Sequence, residues 1–119
     1  VKRLSTKNIT ALIVAALEEL KAGNILVLDV TDLTTITDAM IIATGRTHRQ
    51  VKALSDKVLE KLGAARVPVL GVEGEREAEW ILVDAGDVVA HIMQPATRAY
   101  YQLEKLWKAD AVASTSTSP

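Results

Sequence analysis

Cysteine and phenylalanine are both absent from these 119 residues. Without cysteine there is no disulfide, no thiolate zinc site and no thiol nucleophile. Two Trp and two Tyr are the whole aromatic complement, so the core has to be aliphatic. An excess of one charge is missing too, because 14 basic against 15 acidic side chains leave a net charge of −1. Proteins that hold nucleic acid mainly by neutralising phosphates carry a basic excess or stripe, and the overall balance offers neither. No apolar run approaches the roughly 18 residues of a membrane helix, and the first residues do not read as a signal peptide. Neither a membrane partner nor export is expected.

What is present is a 49% hydrophobic chain of single-domain length. Asn8 can cap a helix with apolar positions at Ile9, Leu12, Ile13, Ala16, Leu17 and Leu20, which Gly23 is placed to end. The continuous apolar run from Ile25 to Val30 reads as a strand buried on both faces. A Thr- and Asp-rich loop leads to a second strand, Asp38 to Gly45. A second helix from Thr47 buries Val51, Leu54, Val58, Leu59 and Leu62, with Gly63 as its stop. Pro68 opens a third strand, VPVLGV, and Gly71 to Ala78 forms an acidic loop. Two more strands follow, and Pro95 suits the first turn of a last helix carrying Ala96, Tyr100, Leu103, Leu106 and Trp107. The apolar positions of that helix are read as structural. The order α-β-β-α-β-β-β-α predicts an α/β domain over residues 1–109, with a mixed five-stranded sheet and helices mainly on one face. Residues 110–119, ending STSTSP, read as a disordered tail.

The stretch EWILVDAGDVVAHIMQ, Glu79 to Gln94, holds the densest mixture of chemistry. With Ala85-Gly86 as a two-residue turn, Asp84 faces Asp87, Leu82 faces Val89 and Trp80 faces His91. One face of this hairpin then carries Ile81, Val83, Val88, Ala90 and Ile92, an aliphatic core surface. The other carries Trp80, Leu82, Asp84, Asp87, Val89, His91 and Met93. An aromatic anchor ringed by polar groups is the pattern of a protein-binding surface. The same residues also fit a second core under a helix, with the aspartates serving the turn. Pattern alone leaves both open. A metal site is disfavoured: in this register His91 lies two same-face steps of about 7 Å from the aspartates, too far for shared ligation.

Two other segments carry charge. ATGRTHRQ, Ala43 to Gln50, runs from a strand through Gly45 to a helix start with Arg46, His48 and Arg49 nearby. Free amides there can hold an anion, but the several glycines and the lysine of a phosphate loop are lacking. Gly45 then serves the turn and Thr47 the cap. The segment Glu73, Glu75, Glu77, Glu79, Asp84, Asp87 is acidic against Arg76 alone. It is either a solvated loop or an electrostatic guide toward a basic partner.

The blocks ITDAMIIATGRTHRQVKAL, GVEGE, EWILVDAGDVVAHIM and TRAYYQLEKLW occur in an order and spacing that resemble the ribosomal silencing factor family, also called Iojap-like. The resemblance covers Ile9 to Ala109. It implies a cytoplasmic, non-catalytic protein without cofactor or metal. Such a protein binds the large ribosomal subunit through that subunit's fourteenth protein and blocks joining of the small subunit, notably when nutrients are scarce. Positions matching the family's shared surface are Glu73, Gly74, Trp80, Asp84, Gly86, Asp87, His91 and Arg98; the hairpin reading adds Leu82, Val89 and Met93. The implied fold is nucleotidyltransferase-like, with Gly45 where such enzymes hold a nucleotide phosphate. Their paired carboxylates are missing from the VPVLGV strand. A nucleotide-binding or nucleotidyltransferase-like enzyme is the alternative. Ala90 stands where the family favours larger β-branched residues, and GRTHR is more basic than the usual Ser-rich form, leaving room for a minor rRNA contact. An apolar open face also predicts a homodimer when the partner is absent.

Overall fold

In a computed structural model of the chain, residues 4–103 and 105 are described. Helix α1 spans Thr6–Glu19 and is capped by Ser5, whose hydroxyl accepts from the Asn8 amide; Asn8, expected as the cap, is inside the helix. The chain continues through β1 (Gly23–Asp29), β2 (Ala39–Thr44), α2 (His48–Ala64), β3 (Gly71–Glu73), β4 (Trp80–Asp84), β5 (Val88–Met93) and α3 (Pro95–Tyr101). This is the α-β-β-α-β-β-β-α order and the single α/β domain read from the sequence.

Neither Gly23 nor Gly63 ends its helix. Lys21 at φ 61 and Arg66 at φ 60 take the left-handed position instead. Each helix is closed by a back-bonded amide, Ala22 N to Leu17 O and Val67 N to Leu62 O, both at 2.9 Å. Glycine is the usual residue there, so two cationic side chains in that role give no sequence signal. Gly63 lies within α2, and the stretch before β3 is irregular, leaving that strand three residues long.

The five strands form one mixed sheet in the order β1-β2-β5-β4-β3. Parallel β2 and β5 occupy its middle; the remaining neighbours are antiparallel. All six residues of β2 are buried. β1, expected to be buried on both faces, is an edge strand with Val27 46% exposed. Both segments are short apolar runs, and composition does not say which goes to the centre.

Helices α1 and α2 cover one face. Their buried positions, Ile9, Ile13, Ala16 and Leu17 with Val51, Leu54, Val58 and Leu62, pack on Ile41, Ile81, Val83, Val88, Ala90 and Ile92. Every member of the hairpin set read as core is fully buried. Gly45 lets α2 approach, since a Cβ there would meet Val51 Cγ2 at 2.8 Å. Its job is packing.

Leu106, Trp107 and the expected tail lie outside the described residues. Tyr100 is 81% exposed, so its expected structural role in the last helix is not a core position.

Candidate partner-binding face

The hairpin turn is Gly86-Asp87, not Ala85-Gly86. Ala85 N donates to Val88 O at 2.9 Å, and Gly86 takes a φ of +84 at the first central position, where such hairpin turns favour glycine. Pairing therefore slips by two residues: Trp80 faces Met93, Leu82 faces His91 and Asp84 faces Val89. An even slip conserves which side chains share a face. The expected surface keeps its members while its neighbours change. Asp87 leaves the ladder for the turn, where its carbonyl accepts from Asp38 N and Ala39 N.

Across the whole sheet this face forms three rungs. Thr44, Met93 and Trp80 make the first; Leu26, Ile42, His91, Leu82 and Glu73 the second; Leu28, Met40, Val89 and Asp84 the third. Burial is graded along them. Met40, Ile42 and Met93 form a small second core with Val30, flanked by Leu28, Leu33, Trp80 and Leu103. Trp80, Leu82, Asp84 and Val89 are half-buried, and Glu73 is exposed. The segment after β1 and the C-terminal helix region thus cover the β1–β2 side and leave the β4 flank accessible.

Two expected contact residues are consequently misplaced. Met93 is fully buried and His91 is 6% exposed, because both sit on β5, where Met93 is part of that second core and His91 lies beside it in the sheet. They support the surface from below. The indole Nε1–H of Trp80 donates to His91 Nδ1 at 2.9 Å. That bond requires a neutral imidazole protonated on Nε2. Burial pushes His91 down to about 4, so it is uncharged near neutrality. Trp80 is thereby held at a fixed angle.

Glu73, Gly74, Trp80 and Leu82 line a shallow recess of about 440 Å³. Gly74 has φ +88, and a Cβ there would lie 2.0 Å from the Trp80 carbonyl oxygen. Only glycine lets the β3–β4 turn pass this close. Asp84 accepts from the Gly86 amide at 2.8 Å, which is turn chemistry of the Asx type. Arg98 reaches away from the recess, donating to Asn24 O and Thr44 Oγ1, both at 2.7 Å. It ties α3 to the β1–β2 end.

Sequence reasoning missed the tyrosines. The Tyr101 ring lies 4.9 Å from Trp80 and an equal 4.9 Å from Tyr100, edge-on to the latter. At 53% and 81% exposed, they extend the indole into solvent. The adjacent YY pair was the available signal. Helical spacing masks that signal, because it makes Tyr100 look internal.

The acidic segment divides. Glu73, Glu75 and Glu77 are exposed; Lys52 lies 4.0 Å from Glu75, and His48 Nδ1 donates to the Glu77 carbonyl at 2.6 Å. His48 thus fastens α2 to this loop. Among the described residues no group of three His, Asp or Glu side chains has metal-holding geometry. The slipped register puts His91 one step from Asp84, closer than expected, yet its Nδ1 is taken by Trp80.

A family described as "Ribosomal silencing factor during starvation" matches residues 3–118. The chain belongs to the ribosomal silencing factor family. It is 48% identical over 104 residues to Ribosomal silencing factor RsfS of Chromobacterium violaceum, covering 87% of this chain and 85% of that one. The crystal structure of a protein from the same species superposes with a TM-score of 0.87 at 48% identity, covering 88% of each chain. A mouse relative named "Mitochondrial assembly of ribosomal large subunit protein 1" is 33% identical over 99 residues, 81% of this chain and 43% of its own length.

Proposed function

We propose that this protein represses translation in the cytoplasm by docking on the large ribosomal subunit, through that subunit's fourteenth protein, and occluding the small subunit. The observation that carries this reading is the half-open β4 flank, where Trp80, Leu82, Val89 and Asp84 lie beside exposed Glu73, Tyr100 and Tyr101. A rigid aromatic anchor with an apolar centre and a carboxylate rim is what a basic protein surface can bury with gain. Mechanism is occupancy. Nothing in it calls for bond-making, a cofactor or a metal.

The rim acts differently from the anchor. Exposed Glu73, Glu75 and Glu77 raise the rate of encounter with a basic partner and are screened by salt. Trp80, braced by His91 and packed at a tilt against the Tyr101 ring, sets how long the complex lasts. Asp87 and Arg98 belong to the proposed surface through the elements they fix, the hairpin turn and α3.

The test is a subunit-joining gradient. Adding the protein to separated subunits is expected to reduce the joined-ribosome peak in proportion to protein bound, and Trp80→Ala is expected to restore it. Undiminished joining at saturating protein would end this reading. In the free protein the same flank is expected to pair with a second copy. Sedimentation as a monomer at every concentration would remove the homodimer from the account.

A further inference from the structure

The turn from α1 into β1 is irregular in a way the aromatic flank does not require. Lys21 and Asn24 both have positive φ, 61 and 45, and the β1–β2 ladder shifts between Gly23 and Leu26. Opposite this turn, Arg46 leaves β2 on the way to α2. Two side chains bind the segments together. Gln50 Oε1 accepts from the Arg46 amide at 2.7 Å, and its Nε2 donates to the carbonyls of Leu20 and Lys21, each at 3.4 Å. Arg98 donates from Nη1 to Asn24 O and Thr44 Oγ1. The product is an open cleft of about 990 Å³, walled by Lys21, Asn24, Thr44, Arg46, Gln50 and Arg98.

Its charge is of one sign, set among the apolar side chains of Ile25, Leu26, Pro95 and Ala99. Three cations line it, with no carboxylate and no aromatic ring among the described lining residues, in a chain whose net charge is −1. Lys21 and Arg46 are exposed, while Arg98 is half-buried and anchored. Convergent cations of this kind attract an anion. The missing rings argue against stacked bases, and the missing carboxylates against the metal that accompanies a nucleoside triphosphate. Sugar–phosphate backbone needs only charge and polar donors.

We infer that the cleft between Lys21, Arg46 and Arg98 binds the phosphodiester backbone of RNA. The choice of RNA over a free anion rests on the ribosomal reading above. Position supports it as well: Thr44 of the cleft and Trp80 of the recess share one rung of the sheet through Met93. Arg98 and Tyr101 also belong to the same short helix. One orientation of the protein on a ribosome therefore presents the cleft to RNA and the aromatic flank to protein.

The experiment is an anisotropy titration of the full chain with a fluorescein-labelled RNA hairpin of mixed sequence, at several salt concentrations. Binding is expected to weaken with salt at a log–log slope of roughly −2, the value for two to three phosphate contacts. Lys21→Glu and Arg46→Glu are each expected to weaken it about tenfold, the scale of losing one phosphate contact and reversing its charge. Lys7→Glu, an equal change of net charge on exposed α1, should leave affinity within about twofold by the same reasoning. Thermal melts of Lys21→Gln and Arg46→Gln, with the same loss of binding, separate this from misfolding. Three outcomes overturn the inference: no binding by the wild type, equal loss with Lys7→Glu, or displacement of the RNA by pyrophosphate at equal phosphate concentration. The aromatic flank is judged separately, by large-subunit binding of Trp80→Ala, so either reading can fail alone.

Discussion

The two faces of the sheet use the same strands for opposite ends. Beneath α1 and α2, Ile81, Val83, Val88, Ala90 and Ile92 have no exposed surface at all. Their neighbours one residue along face the other way and grade from fully buried Met93 on β5, through half-buried Leu82 on β4, to exposed Glu73 on β3. The difference lies in the cover. Two full helices close the first face, whereas the loop holding Val30 and Leu33 and the segment holding Leu103 cover only part of the second. Stability is concentrated on one face, and availability to a partner on the β4 flank of the other.

That contrast can be broken most directly in the core. Ile92→Ala is expected to cost about 2–5 kcal/mol in urea unfolding, as for other buried isoleucines cut to alanine. Leu82→Ala, one strand away on the open face, should cost less, about 1–2 kcal/mol, since part of its side chain stays exposed. Equal losses would mean that the faces are not different in kind.

His91 sharpens the contrast, because it lies at the boundary between them. Its folded value of about 4 is below the ordinary 6.5, so between these values the unfolded chain binds the extra proton. Stability therefore falls as pH drops through that window, by up to about 3 kcal/mol. His91→Asn keeps an acceptor for Trp80 and should flatten the dependence, read from urea midpoints between about pH 6.5 and 5. Glu19, held low by Lys61 and Lys57, and Asp29, held low by the hydroxyl and amide of Thr31, act at lower pH. A wild-type midpoint constant across the range would contradict the neutral, indole-bound imidazole.

The smallest effect is expected at Tyr100. Replacing it with Ser should change stability by less than about 0.5 kcal/mol, as for other exposed positions. It should also weaken dimerisation or large-subunit binding if the exposed ring is part of the contact. A large stability loss would return Tyr100 to the structural role its spacing suggested.

Much of this was legible in the sequence. Element order, the core face of the hairpin and Thr47 as a cap follow from periodicity and local signals, and the family from the resemblance of its sequence blocks. The hairpin faces survived a wrong turn because a two-residue slip conserves parity; a one-residue error would have inverted them. What stayed hidden was long-range. Apolar runs do not reveal that β2 is central and β1 an edge, nor that His91 and Met93 lie under a cover supplied by distant segments. Lys21 and Arg66 ending helices gave no sign, because glycines stood nearby to take the credit. The cationic cleft joins residues from three separate segments, Lys21, Arg46 and Arg98, and no local pattern announces it.

The measurement that bears most directly on the account is the affinity of the intact protein for isolated large ribosomal subunits, comparing Trp80→Ala with Ile92→Val. The second variant is a core change costing about 0.5–1.5 kcal/mol of stability, and it controls for loss of fold. The account predicts that Trp80→Ala loses about 2 kcal/mol or more of binding, roughly thirtyfold, while Ile92→Val binds as the wild type does. Wild-type affinity in a folded Trp80→Ala protein would contradict it.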